Sequence, residues 1–133
     1  MLKPCVIGLG YVGLPILLNL SKKIKTIGFD INKKRILDLK NSIDTFNEFK
    51  KRDFAKKKIF FTNDVFKAKS ANFFIVAVPT PISKSNYPDL SHLKKVSENI
   101  SKILKNGDII FFESTVYPGV TNNLCKTILE KKK

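Results

Sequence analysis

Short apolar runs alternate with amphipathic polar segments along most of the chain. The runs are four to six residues long and rich in aliphatic and aromatic side chains, which is typical of buried strands. They lie at residues 5–9, 24–29, 59–62, 73–78 and 108–112. Helical spacing of apolar residues predicts helices at residues 11–22, 32–40 and 89–105. This alternation predicts βα units, and therefore a single Rossmann-type, doubly wound α/β domain with a mainly parallel sheet.

Three other segments have weaker patterns. Residues 41–57 are polar and lysine-rich with interspersed phenylalanines, so we expect a partly helical, weakly determined segment. Residues 120–130 have apolar positions at helical spacing. The side chains expected to cap helices are Asn63 or Asp64, for a short helix that ends near residue 70, and Asp89 or Ser91, for the helix at 89–105.

A glycine motif follows the first predicted strand. Gly8-Leu9-Gly10-Tyr11-Val12-Gly13 fits the G-x-G-x-x-G pattern, which is weak evidence by itself. Here it also opens a predicted helix, and Asp30 ends the next strand at about the 20-residue distance that the dinucleotide fingerprint predicts. The alternative is a structural glycine turn and an aspartate that merely ends a strand. The combined context favours a dinucleotide site.

Each position of the motif has a predicted role. Gly8 permits a tight turn, Gly10 lets a pyrophosphate approach the backbone, and Gly13 allows the helix to pack closely on the sheet. Phosphates would bind the free N–H groups at the amino end of the helix. Asp30 would accept hydrogen bonds from the ribose hydroxyls of the adenosine.

The carboxylate at Asp30 also bears on the choice of cofactor. A negative charge there would repel the 2′-phosphate of NADP, so NAD is favoured. The cations Lys33, Lys34 and Arg35 follow closely and keep NADP open as an alternative.

Two proline-containing loops follow the fourth and fifth strands, at the sheet edge where open α/β folds bind ligands. They are Val78-Pro79-Thr80-Pro81 and Glu113-Ser114-Thr115-Val116-Tyr117-Pro118-Gly119. Their hydroxyl groups suit the positioning of the nicotinamide end of a cofactor, although such side chains also serve as ordinary loop caps. For His92, the only histidine, we expect a surface or capping role. The sequence contains no visible metal-ligand set.

Composition limits the remaining possibilities. A chain of 133 residues with 43% hydrophobic residues supports one core, and it has no apolar run of the length that a membrane helix needs. The net charge of +14 is spread over scattered lysine clusters, which is typical of solvated surface. Attraction to a phosphorylated ligand, an acidic partner or nucleic acid is the alternative. Cys5 and Cys125 match no metal or redox spacing and are expected to pack as small apolar residues in a reducing cytoplasm.

Taken together, the motifs resemble those of the UDP-glucose/GDP-mannose dehydrogenases, particularly the bacterial branch that acts on UDP-N-acetylhexosamines. The likeness spans essentially the whole chain, in the family's order and approximate spacing. It rests on Gly8-Leu9-Gly10-Tyr11-Val12-Gly13-Leu14-Pro15, Gly28-Phe29-Asp30-Ile31-Asn32, Val76-Ala77-Val78-Pro79-Thr80-Pro81 and Glu113-Ser114-Thr115-Val116-Tyr117-Pro118-Gly119.

The resemblance implies both an activity and a set of site residues. Val12, Asp30, Arg35, Thr80 and Thr115 would contact NAD, in addition to the glycine-motif residues Gly8, Gly10, Tyr11 and Gly13. Thr115 would also lie near the reacting centre and help to organise water and proton movement. The family oxidises the C6 alcohol of a nucleotide sugar to the carboxylate in two NAD-dependent steps, for surface polysaccharide synthesis, and its full-length members are expected to be homodimers.

The chain departs from the family by its length. The nucleophilic cysteine, an essential lysine and most substrate-binding residues of the family lie downstream of the Ser-Thr-Val motif, beyond the present sequence. We therefore interpret residues 1–133 as an incomplete NAD-binding Rossmann domain that would bind NAD weakly and be inactive alone. A nucleotide sugar would bind only with the downstream domain, and neither nucleic acid nor a membrane is expected as a partner. A non-enzymatic NAD-binding regulatory module is the alternative.

Overall fold

The computed structural model describes residues 1–55, 57–79 and 89–113, and these form an α/β fold. The strands are β1 (Pro4–Ile7), β2 (Thr26–Phe29), β3 (Ile59–Thr62), β4 (Phe73–Val76) and β5 (Ile109–Phe112). The α-helices are α1 (Gly13–Leu20), α2 (Lys33–Lys40) and α3 (Ser91–Ser101). Two short 3-10 helices lie at Lys51–Phe54 and Val65–Ala68. The predicted helix at residues 120–130 lies outside the described residues.

The five strands form one sheet in the order β3-β2-β1-β4-β5, and every pairing is parallel. At the centre, Ile7 at the end of β1 lies in register with Phe29 of β2 and Val76 of β4. The carboxyl ends of the strands therefore meet at one edge of the sheet. This arrangement confirms the predicted Rossmann-type parallel fold.

Both faces of the sheet are covered, because apolar residues alternate between two cores. In β1, Cys5 and Ile7 pack with the apolar side of α3, whereas Val6 packs with α1 and α2. The α3 side chains in the first core, Leu93, Val96 and Ile100, recur at helical spacing and are almost fully buried. This two-sided burial explains why the strands appear in the sequence as continuous apolar runs.

The helices differ from the predicted ones at their ends. The third predicted helix was expected to reach residue 105, but α3 ends at Ser101, where backbone hydrogen bonds to residues three positions back tighten the chain into turns. Asp64 caps its short helix as predicted, by accepting a hydrogen bond from the Phe66 N–H. Asp89 accepts from the Ser91 N–H at the start of α3.

Residues 41–57 contain less helix than expected, since their only described helical element is the 3-10 helix at Lys51–Phe54. The first part of the segment is instead an irregular loop that is hydrogen-bonded to one buried side chain, Asp44. None of the described helices combines the length and the apolar character that crossing a membrane requires.

Candidate functional site

A cleft of about 640 Å³ opens at the carboxyl ends of the central strands. It lies where the strand order reverses at β1, because the chain runs outward from β1 through β2 to β3 and then returns to the other side at β4. Loops that leave neighbouring strands in opposite directions create the ligand-binding crevice of open α/β sheets. Its walls include Gly8, Gly10, Asp30, Asn32, Arg35 and Val78.

The turn between β1 and α1 depends on two glycines. Gly8 has a φ of 91°, which favours glycine, and a Cβ there would lie 2.8 Å from the Ala77 carbonyl oxygen. A Cβ on Gly13 would collide with the carbonyl oxygen of Gly8. By contrast, a Cβ on Gly10 would make only an ordinary contact, 3.9 Å from Phe46. Gly8 and Gly13 therefore shape the turn, while Gly10 lies in the wall of the cleft.

The amino end of α1 can present backbone N–H groups to a ligand. Its N-cap residue, Val12, makes no side-chain capping bond, and the first turn contains no acidic residue. The first N–H groups of a helix have no partner within the helix, and the helix dipole favours an anion beside them. This end of α1 is therefore suited to a phosphate group.

Asp30 connects the end of β2 to the glycine turn. Its Oδ2 accepts a hydrogen bond from the Leu9 N–H at 3.0 Å, and its Oδ1 accepts from the Asn32 N–H at 2.9 Å. A carboxylate has about four lone-pair sites, so both oxygens can still accept from a ligand hydroxyl. Asp30 and Gly10 thus lie in one cleft, as a dinucleotide site requires.

Arg35, in the first turn of α2, is buried beneath the same turn. Its Nε donates to the Leu9 carbonyl oxygen and its Nη1 to Asp44 Oδ1, each at 2.8 Å. Its Nη2 is buried and has no hydrogen-bond partner among the described residues. A buried donor without a partner is costly, so this atom marks a place where a ligand oxygen would be stabilised.

Asp44 holds the loop that follows α2. Besides the ion pair with Arg35, it accepts hydrogen bonds from the N–H groups of Phe46, Glu48 and Phe49. Burial by itself would raise the pKa of Asp44, but the hydrogen bonds from Arg35 and from the loop amides outweigh it and hold the pKa below its usual 3.8. Asp44 is therefore an ionised carboxylate at neutral pH.

An aromatic stack covers the Arg35–Asp44 pair. The Phe46 ring lies 4.3 Å from the guanidinium carbon of Arg35, and its other stacking partner is the Tyr11 ring at 4.5 Å. Contact between a cation and an aromatic face is favourable and reduces exposure to water. Phe46 also lines the cleft, so the loop after α2 forms part of its wall.

The structure brings only part of the predicted site together. Gly8, Gly10, Asp30 and Arg35 line the cleft, Gly13 lies behind it in the turn, and Tyr11 and Val12 are exposed at the start of α1. Thr80 and Thr115 lie outside the described residues. Their predicted contacts with NAD, and the role of Thr115 near the reacting centre, remain predictions.

Three residues were missed or understated, of which Phe46 and His92 line the cleft and Asp44 lies behind it, paired with Arg35. Asp44 and Phe46 belong to a segment without regular periodicity, so no pattern singled them out. The available signal was Asp44 itself, an acidic residue among lysines and close to Phe46 and Phe49. His92 is exposed, as predicted, but it also lines the cleft from the first turn of α3.

Cys5 is fully buried in β1, as predicted for a small apolar residue. Burial raises the pKa of its thiol above the ordinary range, so Cys5 stays protonated at neutral pH. Because the thiolate is the reactive form, Cys5 is not available as a nucleophile. Cys125 lies outside the described residues.

Comparison with known proteins agrees with this geometry. The sequence pattern of the UDP-glucose/GDP-mannose dehydrogenase family, NAD binding domain, matches residues 2–133. The chain belongs to this family. The cofactor of this domain is accordingly NAD.

Two similar proteins and one solved structure illustrate the relationship. The chain is 45% identical over 130 residues to UDP-N-acetyl-D-glucosamine 6-dehydrogenase of Salmonella typhi, covering 97% of this chain and 31% of that protein. It is 48% identical over 126 residues to protein CapL of Staphylococcus aureus, covering 95% and 30%. It superposes on a UDP-D-ManNAc dehydrogenase from Pyrococcus horikoshii with a TM-score of 0.90 and 28% identity, covering 98% and 32%.

These comparisons also determine how far the family name applies. The chain spans about a third of the length of the relatives it matches, and the matched part is the NAD-binding domain. Two of these three relatives have names that state an activity, and both are dehydrogenases. A non-enzymatic NAD-binding module is therefore not favoured.

Proposed function

We propose that residues 1–133 are the cofactor-binding part of a nucleotide-sugar 6-dehydrogenase. The complete enzyme would oxidise the C6 alcohol of a UDP-hexose or UDP-N-acetylhexosamine to the uronic acid, for surface polysaccharide synthesis. The observation that carries the proposal is the cleft that joins Gly10, Asp30 and Arg35 where the strand order reverses. Similarity to a UDP-N-acetyl-D-glucosamine 6-dehydrogenase supports the substrate class.

The residues of the cleft fit NAD. The uncapped amino end of α1 would bind the pyrophosphate, with Gly10 allowing close approach. Asp30 would accept hydrogen bonds from the adenosine ribose, and the buried Nη2 of Arg35 would donate to a cofactor oxygen. When bound, NAD supplies the hydride acceptor for the oxidation.

The remaining site residues complete the proposal. Tyr11 and Val12 would contact the cofactor from the start of α1, and Gly8 and Gly13 would hold the turn in place. Thr80 and Thr115 would position the nicotinamide end, with Thr115 near the reacting atoms. These roles are supported by the family motifs in which the residues lie.

The proposed partner is a nucleotide sugar, rather than nucleic acid or a membrane, and it would bind only together with downstream residues of the kind the longer relatives have. We propose a cytoplasmic location, supported by the free thiol of Cys5, and a homodimer for the complete enzyme.

Calorimetric titration of the chain with NAD tests the cofactor site. Replacing Asp30 by alanine removes hydrogen bonds to a charged acceptor, so the affinity should fall roughly ten- to a hundredfold. Glu98→Gln is the matched control, because Glu98 is an exposed carboxylate on α3 that does not line the cleft. No saturable binding by the unaltered chain, or equal binding by Asp30→Ala, would contradict the proposal.

A further inference from the structure

The cations that follow Asp30 pose a problem of selectivity. Arginine and lysine beside the adenosine ribose would attract the 2′-phosphate of NADP and so oppose the effect of Asp30. Lys33, Lys34 and Arg35 all lie at the start of α2. Selection of NAD therefore depends on what these three charges contact.

The structure gives two of the cations a carboxylate partner. Arg35 Nη1 lies 2.8 Å from Asp44 Oδ1, and Lys34 Nζ lies 3.4 Å from Asp38 Oδ2. The side chains of Arg35 and Asp44 are only 6% and 1% exposed, whereas that of Lys34 is 81% exposed. An exposed pair is screened by water and ions, while a buried pair is not. The Arg35–Asp44 pair is thus the stronger of the two.

Arg35 is held next to Asp30 through a residue that both side chains bind, Leu9. Asp30 binds the N–H of Leu9 and Arg35 binds the carbonyl oxygen of the same residue, so the two side chains flank a single residue of the cleft wall. The Phe46 ring covers the guanidinium and limits its hydration. Without a neutralising partner, this guanidinium would be a strong attraction for a phosphate dianion.

We propose that Asp44 is a specificity-determining residue that selects NAD over NADP by neutralising Arg35. Asp44 holds the Nη1 edge of the guanidinium, so Arg35 can donate from Nη2 to a ribose or pyrophosphate oxygen without contributing a net positive charge beside the 2′ position. Asp30 repels the 2′-phosphate directly, and Asp44 removes the attraction that would offset this repulsion. The inference rests on the proposed cofactor function of the cleft.

The test compares affinities for NAD and NADP, measured by calorimetry, in the unaltered chain and in Asp44→Asn. A merely structural role would weaken both cofactors together and leave their ratio unchanged. Neutralisation of Arg35 predicts instead that the ratio shifts toward NADP by about fivefold or more, the size of one charge-assisted contact. The shift should diminish at high salt.

Two further variants make the result specific. In the double variant Asp44→Asn/Arg35→Met the shift should disappear, because it depends on the uncompensated guanidinium. Asp108→Asn is the matched control, since Asp108 is also a buried carboxylate in an ion pair, with Lys105, but is not part of the cleft. It should lower stability without changing the ratio.

Each outcome separates the inference from the proposed function. If the unaltered chain binds neither cofactor, both fail. If it binds NAD and Asp30→Ala weakens binding, but Asp44→Asn leaves the ratio unchanged, only the role of Asp44 is overturned. If Asp44→Asn does not fold, Arg35→Met measures the same coupling from the other side, and it should shift the ratio further toward NAD. An unchanged ratio in Arg35→Met would overturn the inference.

Discussion

Asp44 is a buried residue whose ionisation contributes to stability. Its folded pKa lies below the usual 3.8, so the stabilisation is fully present above that value and is lost as the pH falls through the folded pKa. Urea unfolding at a series of pH values should show a loss of stability in acid that is smaller in Asp44→Asn. Identical pH dependence in the two proteins would show that the Asp44 hydrogen bonds do not favour the ionised form.

Gly13 and Gly10 should respond differently to alanine. At Gly13 the added Cβ collides with the Gly8 carbonyl oxygen, so Gly13→Ala should lose about 1–3 kcal/mol of unfolding free energy. At Gly10 the new Cβ meets only Phe46 at 3.9 Å, so Gly10→Ala should remain folded but bind NAD more weakly. Urea unfolding and NAD titration of both variants test this contrast, which equal stabilities would refute.

For single residues, the sequence predicts the site positions that belong to a motif and misses the positions that tertiary contacts define. Gly8, Gly10 and Asp30 were predicted to lie at one site because each occupies a set position relative to a strand or helix. Asp44 acquires its role only when the loop after α2 folds back onto Arg35. No periodicity in the sequence records that contact.

Helix α2 carries Arg35, and Asn32 caps it by accepting a hydrogen bond from the Arg35 N–H at 3.1 Å. Asn32→Ala should lose about 1 kcal/mol of stability and also weaken NAD binding, because the helix end that holds Arg35 would fray. Asp64→Ala removes a similar cap from the helix at Val65–Ala68 and should affect stability alone. Urea unfolding and NAD titration of both variants test this difference. If Asn32→Ala also lowered stability and left NAD affinity unchanged, the role of Asn32 would be purely local.

The elements themselves were largely predictable, since all five strands lie within a few residues of the apolar runs. Their ends were not, and α3 ends four residues earlier than expected. Leu104 continues the apolar spacing past residue 101, but tight backbone turns at Lys102 and Ile103 take over from the helix. The end of α3 is therefore set by local hydrogen bonds, and the apolar pattern, which continues beyond it, does not mark this position.

For the whole molecule, residues 1–133 should bind NAD but produce no NADH when a UDP-sugar is added. Cys5 is the only described thiol, and it is buried, protonated and part of the central strand. An absorbance assay for NADH with UDP-N-acetylglucosamine and UDP-glucose, alongside NAD titration, measures both properties. Sustained NADH formation by the pure chain would disprove the division between cofactor binding and catalysis.

Leu9 is anchored on both sides, its N–H by Asp30 and its carbonyl oxygen by Arg35. The two peptide units that flank it therefore cannot rotate freely, and the amides that follow are held in position before a ligand arrives. Such preorganisation lowers the entropy lost on association. More of the energy of each new contact then goes into affinity, because this turn has less backbone freedom to lose.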